Sequence, residues 1–502
     1  VKIFQVLNAG LNKPLFAIIA GLTLVVAAIG CRYAAFMQTA FATGWDSYFY
    51  LVQLKSIVET GQMHSPEGSL IYPFLRLLYG VTHDYVAALK WGAALLCGLW
   101  TGLLFYLPRS RNMGLLLAAW AVFSPQLTYF AAQYPKNLLG IVLFAAFVLS
   151  IERAGKQRVI LALILLIVNY FGHRMTFGLC LVYGLLTLLF QWKKTSLPKW
   201  ISPMHVLLAT LCFGLLFIAG RFIPGLASLT DFHRLDGTFS IVPQLAPWSF
   251  VSTFGLGKIS GWWLFELGVT LLLLLVTGLQ SVKKMWGERR ADAQELAMLT
   301  LCVLLLFPFL TWTFLGLSWR FFLVFVLLAP LLLREKLFQK VYWAFIPCLL
   351  AGAFFSWKSY SPALHDPNYS MFSRVTRNVE KHFDQGAKPE LVIAHNALAE
   401  YFTFTTGVDA MPWLPEYPID SMRLWRIATG VRYETLQYYA GPPWKESVFP
   451  LGGGYHLLPE FVWQKACSSV RNAGDEDAFV AAANSWHNPH QMRPAWLLHR
   501  KK

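Results

Sequence analysis

The chain reads as a polytopic α-helical membrane protein followed by a small extracytoplasmic α/β domain. Three observations carry that reading: long apolar spans, basic residues in every second loop, and a change of composition after residue 357. Hydrophobic residues make up 56% of the 502 positions and charged residues 14%, with a mean hydropathy of +0.48. Soluble chains carry about 25% charge, so most of this one belongs in lipid. The net charge of +16 is concentrated in residues 1–357, with 27 Lys/Arg against 12 Asp/Glu; residues 358–502 carry 15 against 14. Short loops hold the excess, which fits the positive-inside bias and argues against nucleic acid as a partner.

A bilayer core of roughly 30 Å takes about 20 apolar residues to cross as a helix. About eleven such spans are expected, near 14–35, 86–107, 113–131, 137–151, 158–172, 175–191, 204–222, 262–281, 296–313, 319–333 and 341–357. The first follows Lys2 and Lys13 and ends at Cys31-Arg32-Tyr33 with no small-residue cleavage site, so it reads as an uncleaved signal anchor with a cytoplasmic N-terminus. The loops Pro108 to Asn112, Glu152 to Arg158, Trp192 to Trp200, Ser281 to Glu295 and Arg334 to Lys340 then face the cytoplasm, each with at least two basic residues. An odd number of spans sends the tail outside. The implied location is a bacterial inner membrane with a periplasmic C-terminal domain, and the implied domains are 1–357 and 358–502.

Two external loops are long. In the first, about 36–85, Tyr48, Leu51, Val52, Leu54 and Val58 mark one face of a helix from Ser47 to Thr60, and Leu70 to Tyr79 is a second short apolar stretch. Both are expected to lie as helices in the membrane interface. The second loop, about 221–261, scatters Pro, Gly and Trp around Asp231, His233, Arg234 and Asp236. In the tail a helix is expected over 369–383, a strand over 390–394 and a helix over 396–404, enough for a separate core. Six of the seven cysteines fall in apolar spans, with neither a disulfide framework nor zinc spacing. Gly452-Gly453-Gly454 follows no expected strand and lacks a following Lys-Ser or Lys-Thr, so it is not read as a phosphate loop.

Carboxylates on the external side are few. Asp46 stands apart, in Phe41-Ala-Thr-Gly-Trp-Asp-Ser-Tyr-Phe-Tyr50 just past the first span, where it would meet lipid headgroups. The opening acid, an aromatic-rich helix ending at Gly61 and a second helix containing Tyr72-Pro73-Phe74 together resemble the GT-C superfamily of membrane glycosyltransferases. That group includes protein O-mannosyltransferases and lipid A aminoarabinose transferases. Members often place a second carboxylate beside the first; here Ser47 follows Asp46. The tail lacks the tryptophan-tryptophan-aspartate motif of oligosaccharyltransferases, which argues against that branch.

What the resemblance implies is an inverting glycosyltransferase that moves a sugar from a polyprenyl-phosphate donor, undecaprenyl phosphate in a bacterium, to a lipid, glycan or protein acceptor. Such chemistry needs a base for the acceptor hydroxyl and cations for the departing phosphate. Asp46 is the expected base. Lys136, Arg174 and Arg320, all expected at the external rim, are the expected phosphate ligands, arginine being suited by its forked donors. His64, His173, Asp231, His233, Arg234 and Asp236 are candidate substrate contacts. The loop carboxylates would also suit a divalent cation, Mg²⁺ or Mn²⁺, as in oligosaccharyltransferases.

Each residue also has a plainer reading. A cation at a span end snorkels to a headgroup, Asp46 suits the N-cap of the helix that follows, and tail aromatics pack a core. Two other classes of function stand beside the transferase. A flippase or transporter would place charge and broken helices at mid-membrane in repeated halves, and a non-catalytic subunit of an envelope complex would keep the scaffold without the second carboxylate.

Overall fold

The computed structural model describes residues 14–65, 67–106, 111–152, 157–191, 368–383, 389–412, 420–429 and 431–473, with isolated positions between 268 and 283 and residues 350 and 351. The spans expected at 204–222, 262–281, 296–313, 319–333 and 341–357 lie outside the continuously described residues. The described residues fall into two compact units, one within Val1–Gln38, Gly68–Phe74 and Lys90–Leu364, the other within Thr39–Glu67, Leu75–Leu89 and His365–Lys502.

Elements are numbered here among the described residues. The helices of the membrane part are α1 (Pro14–Phe36), α2 (Ser47–Thr60), α3 (Ile71–Thr82), α4 (Tyr85–Tyr106), α5 (Arg111–Phe123), α6 (Pro125–Gln133), α7 (Pro135–Glu152), α8 (Gln157–Gly172) and α9 (Arg174–Gln191). By length and apolarity α1 and α4 each suffice to cross a bilayer, as does the α5–α6 pair taken together. The protein is therefore a membrane protein. Of the eleven spans expected, two or three qualify by length and composition among the described residues.

The single span expected at 113–131 is broken, and the sequence supplies the reason. Pro125 has no N–H to continue the ladder, and the chain bends by 59° between α5 and α6. Ser124 caps the new helix, its hydroxyl accepting from the Leu127 N–H at 3.4 Å. The break orphans the last carbonyls of α5, and the fully buried Arg32 of α1 answers them. Its guanidinium donates to the carbonyls of Ala121, Val122 and Ser124, the last at 3.0 Å. A second proline, Pro135, follows Tyr134 and starts α7.

Small residues let the helices of this unit approach. A side chain at Gly98 of α4 would run into Ile29 of α1, and one at Gly102 would press on Val25. Four residues apart, the two glycines form the small-xxx-small face by which membrane helices pack closely. Tyr33 and Trp91 stack between the same two helices at 4.0 Å. Residues 68–74 belong here as well, with the Leu70 N–H on the Phe171 carbonyl at 2.9 Å and the Ser69 hydroxyl on that of Gly172 at 3.2 Å.

The second unit is built on a five-stranded mixed sheet of order β2-β1-β3-β5-β4. Its strands are β1 (Leu391–Ile393), β2 (Asp409–Met411), β3 (Leu424–Thr429), β4 (Phe449–Gly452) and β5 (Tyr455–Pro459). β1 runs parallel to β2 and to the central β3, while β5 is antiparallel to β3 and β4. Helices α10 (Tyr369–Phe383), α11 (Asn396–Thr406), α12 (Tyr433–Ala440) and α13 (Glu460–Ala473) complete it. The helix, strand and helix expected at 369–383, 390–394 and 396–404 are all present. Gly452-Gly453-Gly454, by contrast, does follow a strand: it turns β4 into β5 with positive φ at all three residues, and no helix follows to make a phosphate cradle.

A core of Leu436, Ala440, Leu458, Val462, Ala466 and Val470 joins α12 and α13 to β5. Beside it Arg426 of β3 grips Glu460 through two parallel bonds, Nε to Oε2 at 2.5 Å and Nη2 to Oε1 at 2.9 Å, and lies over the Trp463 ring. The first-loop helix α2 belongs to this unit. Its apolar face, expected to meet lipid headgroups, has a protein partner: Tyr48 packs among Tyr369, Tyr401 and Phe404 at 4.7, 4.8 and 5.5 Å.

Substituting Gly98 by Leu is expected to separate α1 from α4 at a cost of about 1–3 kcal/mol, the usual toll of overpacking. A lowered thermal midpoint of the detergent-solubilised protein, with the same shift absent for the exposed Gly80→Ala, is the measurement that checks it.

Candidate active site

Asp46 opens α2, and the backbone around it is fixed from several directions. Gly44, two residues earlier, adopts φ 108°, open to glycine alone, and its carbonyl accepts from the Tyr369 hydroxyl at 2.6 Å. The Ser47 hydroxyl donates back to the Thr43 carbonyl. Gly61, at φ 75°, closes the other end of the helix.

Asp46 holds the N-cap position, yet its side chain makes no capping hydrogen bond. Its backbone, at φ −89° and ψ 4°, lies outside the extended range that N-capping uses. Glu400, on α11, is the acid that responds to this end of α2: the Phe49 backbone and the Asn396 side chain favour its charged form. Lys55 of α2 donates to the Phe404 carbonyl in the last turn of α11 at 2.9 Å and lies over the Phe404 ring, a cation at the helix C-terminus that the dipole favours.

Glu400 is the residue that sequence reasoning missed. It is part-buried, and its Oε2 is shielded from water with no hydrogen-bond partner. Burial pushes its carboxyl well above the usual carboxylate range, and the negative charge of Asp46 pushes it further; the bonds from Phe49 and Asn396 oppose both. The charge of Asp46 is thus felt by a carboxyl drawn from the tail.

The other first-loop acids have structural posts. Asp84 caps α4, accepting from the Ala87 N–H at 2.6 Å, and Glu59 accepts from the Tyr85 hydroxyl at 3.5 Å. His64 faces Asp409 of β2 at 3.6 Å. Next to it, Ser65 exchanges two hydrogen bonds with the buried Gln53, so His64 sits where the loop is pinned to the sheet.

Lys136, His173 and Arg174 belong to the first unit. Lys136 is the second residue of α7 and Arg174 the first of α9. Gly140 of α7 packs directly on His173 and Thr176. Lys136 lies one turn before Gly140, on the same helical face, so the structure gathers Lys136, His173 and Arg174 at one end of neighbouring helices. The Arg174 guanidinium lies over the Tyr170 ring, 6.0 Å from its centroid. Asp231, His233, Arg234, Asp236 and Arg320 lie outside the described residues.

Among the described residues no group of three His, Cys, Asp or Glu converges, and Asp231 and Asp236, the carboxylates expected to share a divalent cation with Asp46, lie outside the described residues.

No family model matches the chain, and no curated protein matches its sequence. Among solved structures, the fold is similar to the oligosaccharyltransferase of Archaeoglobus fulgidus. Against its apo form the TM-score is 0.50 at 10% identity, covering 90% of this chain and 69% of that one. Against its complex with zinc and sulfate the TM-score is 0.48 at 10% identity, covering 89% and 66%. The chain thus spans about two thirds of that enzyme's length, and the likeness is one of fold.

Removing the ammonium in Lys55→Ala is expected to loosen α2 from α11 by about 1.5–3 kcal/mol, the range for a charged hydrogen bond. Hydrogen exchange of the α2 amides reads this directly: exchange faster by about tenfold or more is expected, with the amides of β3 and β5 unchanged.

Proposed function

We propose that this chain is a membrane glycosyltransferase of the inverting kind, transferring a sugar from a polyprenyl-phosphate donor to a lipid, glycan or protein acceptor at the outer face of a bacterial inner membrane. The observation that carries this is the state of Asp46. It is a part-buried carboxylate at the opening of the first-loop helix that makes no capping bond to that helix, and its charge helps raise the pKa of Glu400 on α11. The fold it shares with an archaeal oligosaccharyltransferase supports the same reading.

In the reaction, the acceptor oxygen attacks the anomeric carbon from the face opposite the phosphate. The bond from that carbon to the phosphate oxygen breaks, and the electron pair leaves with the polyprenyl phosphate. Asp46 takes the acceptor's proton as the nucleophile develops. The leaving group is an anion already, so it needs cations and not an acid. Lys136 and Arg174, gathered at one helix end with His173, are assigned to it together with Arg320. His64, Asp231, His233, Arg234 and Asp236 are assigned to substrate contact beyond the reacting atoms.

Purified protein in liposomes, given a panel of undecaprenyl-phosphate sugars and bacterial envelope extract as acceptor source, is expected to release undecaprenyl phosphate. Asp46→Asn should lower kcat by about 10²–10⁴-fold, the usual share of a general base, and Lys136→Ala or Arg174→Ala should mainly raise the donor KM. Full turnover by the Asp46→Asn protein would sink the assignment.

A further inference from the structure

Helix α11 carries Tyr401 and Phe404, which receive α2, and its own first turn is held by a side chain that can change charge. His395 occupies the N-cap position, where its backbone, at φ −64° and ψ 152°, has the extended geometry that capping uses. Through Nδ1 the ring accepts from the Leu398 N–H at 3.4 Å, and Nε2 lies 3.2 Å from the Tyr455 hydroxyl of β5. The residue is buried, with the Phe372 ring of α10 5.1 Å away. Asp, Asn, Ser and Thr are the side chains favoured at an N-cap. Histidine does the same work in one protonation state only.

The hydrogen bonds fix which state that is. A backbone N–H can only donate, so Nδ1 must be the acceptor; the proton of the neutral imidazole then sits on Nε2 and is donated to Tyr455. A protonated ring donates from both nitrogens. It has no lone pair to offer Leu398, and it sets a positive charge at a helix N-terminus, where the dipole opposes one. We propose that His395 is an acid-released N-cap: the neutral ring fastens the first turn of α11 to β5, and a proton on Nδ1 frees that turn and loosens the seat of α2. This device is independent of the reaction assigned to Asp46.

The sign of the effect follows from proton counting. With the cap closed, Nδ1 binds no proton; with it open, the ring titrates as an ordinary histidine near about pH 6.5. The cap is therefore complete above that range and is lost as pH falls through it. Charges around the ring come from several elements. Helix α10 buries Tyr369, Phe372, Val375 and Val379, leaving Arg374, Arg377 and Lys381 exposed and Glu380 and His382 part-buried. Strand β5 brings Tyr455, while its His456 stacks on Tyr433 of α12. The elements on the rest of α11 are α2, with Asp46, Lys55 and Glu59, and β2, with Asp409. Lys55 is engaged at the opposite end of α11, and Asp409 pairs with His64. Within α11 the one charged residue is Glu400, and β1, which leads into His395, has no titratable side chain.

The test is hydrogen exchange at the Leu398 amide of the full chain in liposomes, corrected for the intrinsic rate, from pH 8 to pH 5. In the wild type the opening constant should rise by about 30-fold over that range, the factor by which a ring of ordinary pKa favours the open form at pH 5. The amides of β3 serve as the reference and should not follow it. His395→Asn supplies an acceptor that does not titrate, so Leu398 should stay protected with the pH dependence flattened. His395→Ala should expose Leu398 throughout; should that protein fail to fold, the wild type and His395→Asn decide the matter between them. Protection of Leu398 that is unchanged between pH 8 and pH 5 in the wild type, or an acid loss that persists in His395→Asn, would overturn the proposal.

Discussion

The docking of α2 on α11 is the constraint on which the second unit rests. A helix of 14 residues in an external loop has little reason to hold one position: isolated helices of that length are marginal in water, and an apolar face can settle on any apolar surface. Lys55, donating to the Phe404 carbonyl in the last turn of α11, removes that freedom. Direction matters as well as attraction, because an ammonium belongs at a helix C-terminus. The aromatic packing of Tyr48 with Tyr369, Tyr401 and Phe404 supplies the buried area, and the charged contact supplies the register. Asp46 inherits its position from both.

The first unit solves a different problem with the same physics. Helices in lipid must satisfy every backbone group internally, so a break such as that between Phe123 and Pro125 needs donors from a neighbour. Arg32 provides them from α1. A cation that would be costly alone in an apolar setting is held by three carbonyls, which would in turn be costly without it. The close helix contacts at Gly98, Gly102 and Gly140 bring the partners within reach.

Much of this was legible in the sequence, and the exceptions have physical causes. Asp46 could be found because a lone acid between an apolar span and an amphipathic helix is conspicuous at short range. The strand at Leu391 and the helices on either side announced themselves by pattern. The bend after α5 was written in Ser124-Pro125, but hydropathy over a span-length window averages it away. The apolar face of α2 was visible while its partner was not, because a 3.6-residue period is the same whether the face meets lipid or protein. Glu400 carried no local mark at all: it is one acid on a short helix, and its meaning lies in a residue from the other end of the chain. Lys136 and Arg174 were readable as cations at helix ends, whereas the packing of Gly140 on His173 was not.

The hydrogen bonds that fasten α2 and the segment before it span 349 and 325 residues of chain. Contacts so remote must wait until nearly all of the polypeptide has left the ribosome, since loop closure comes before any reward from the contact. During synthesis the first-loop helix has no Phe404 to receive it, so the aromatic face around Tyr48 stays uncovered until the tail arrives.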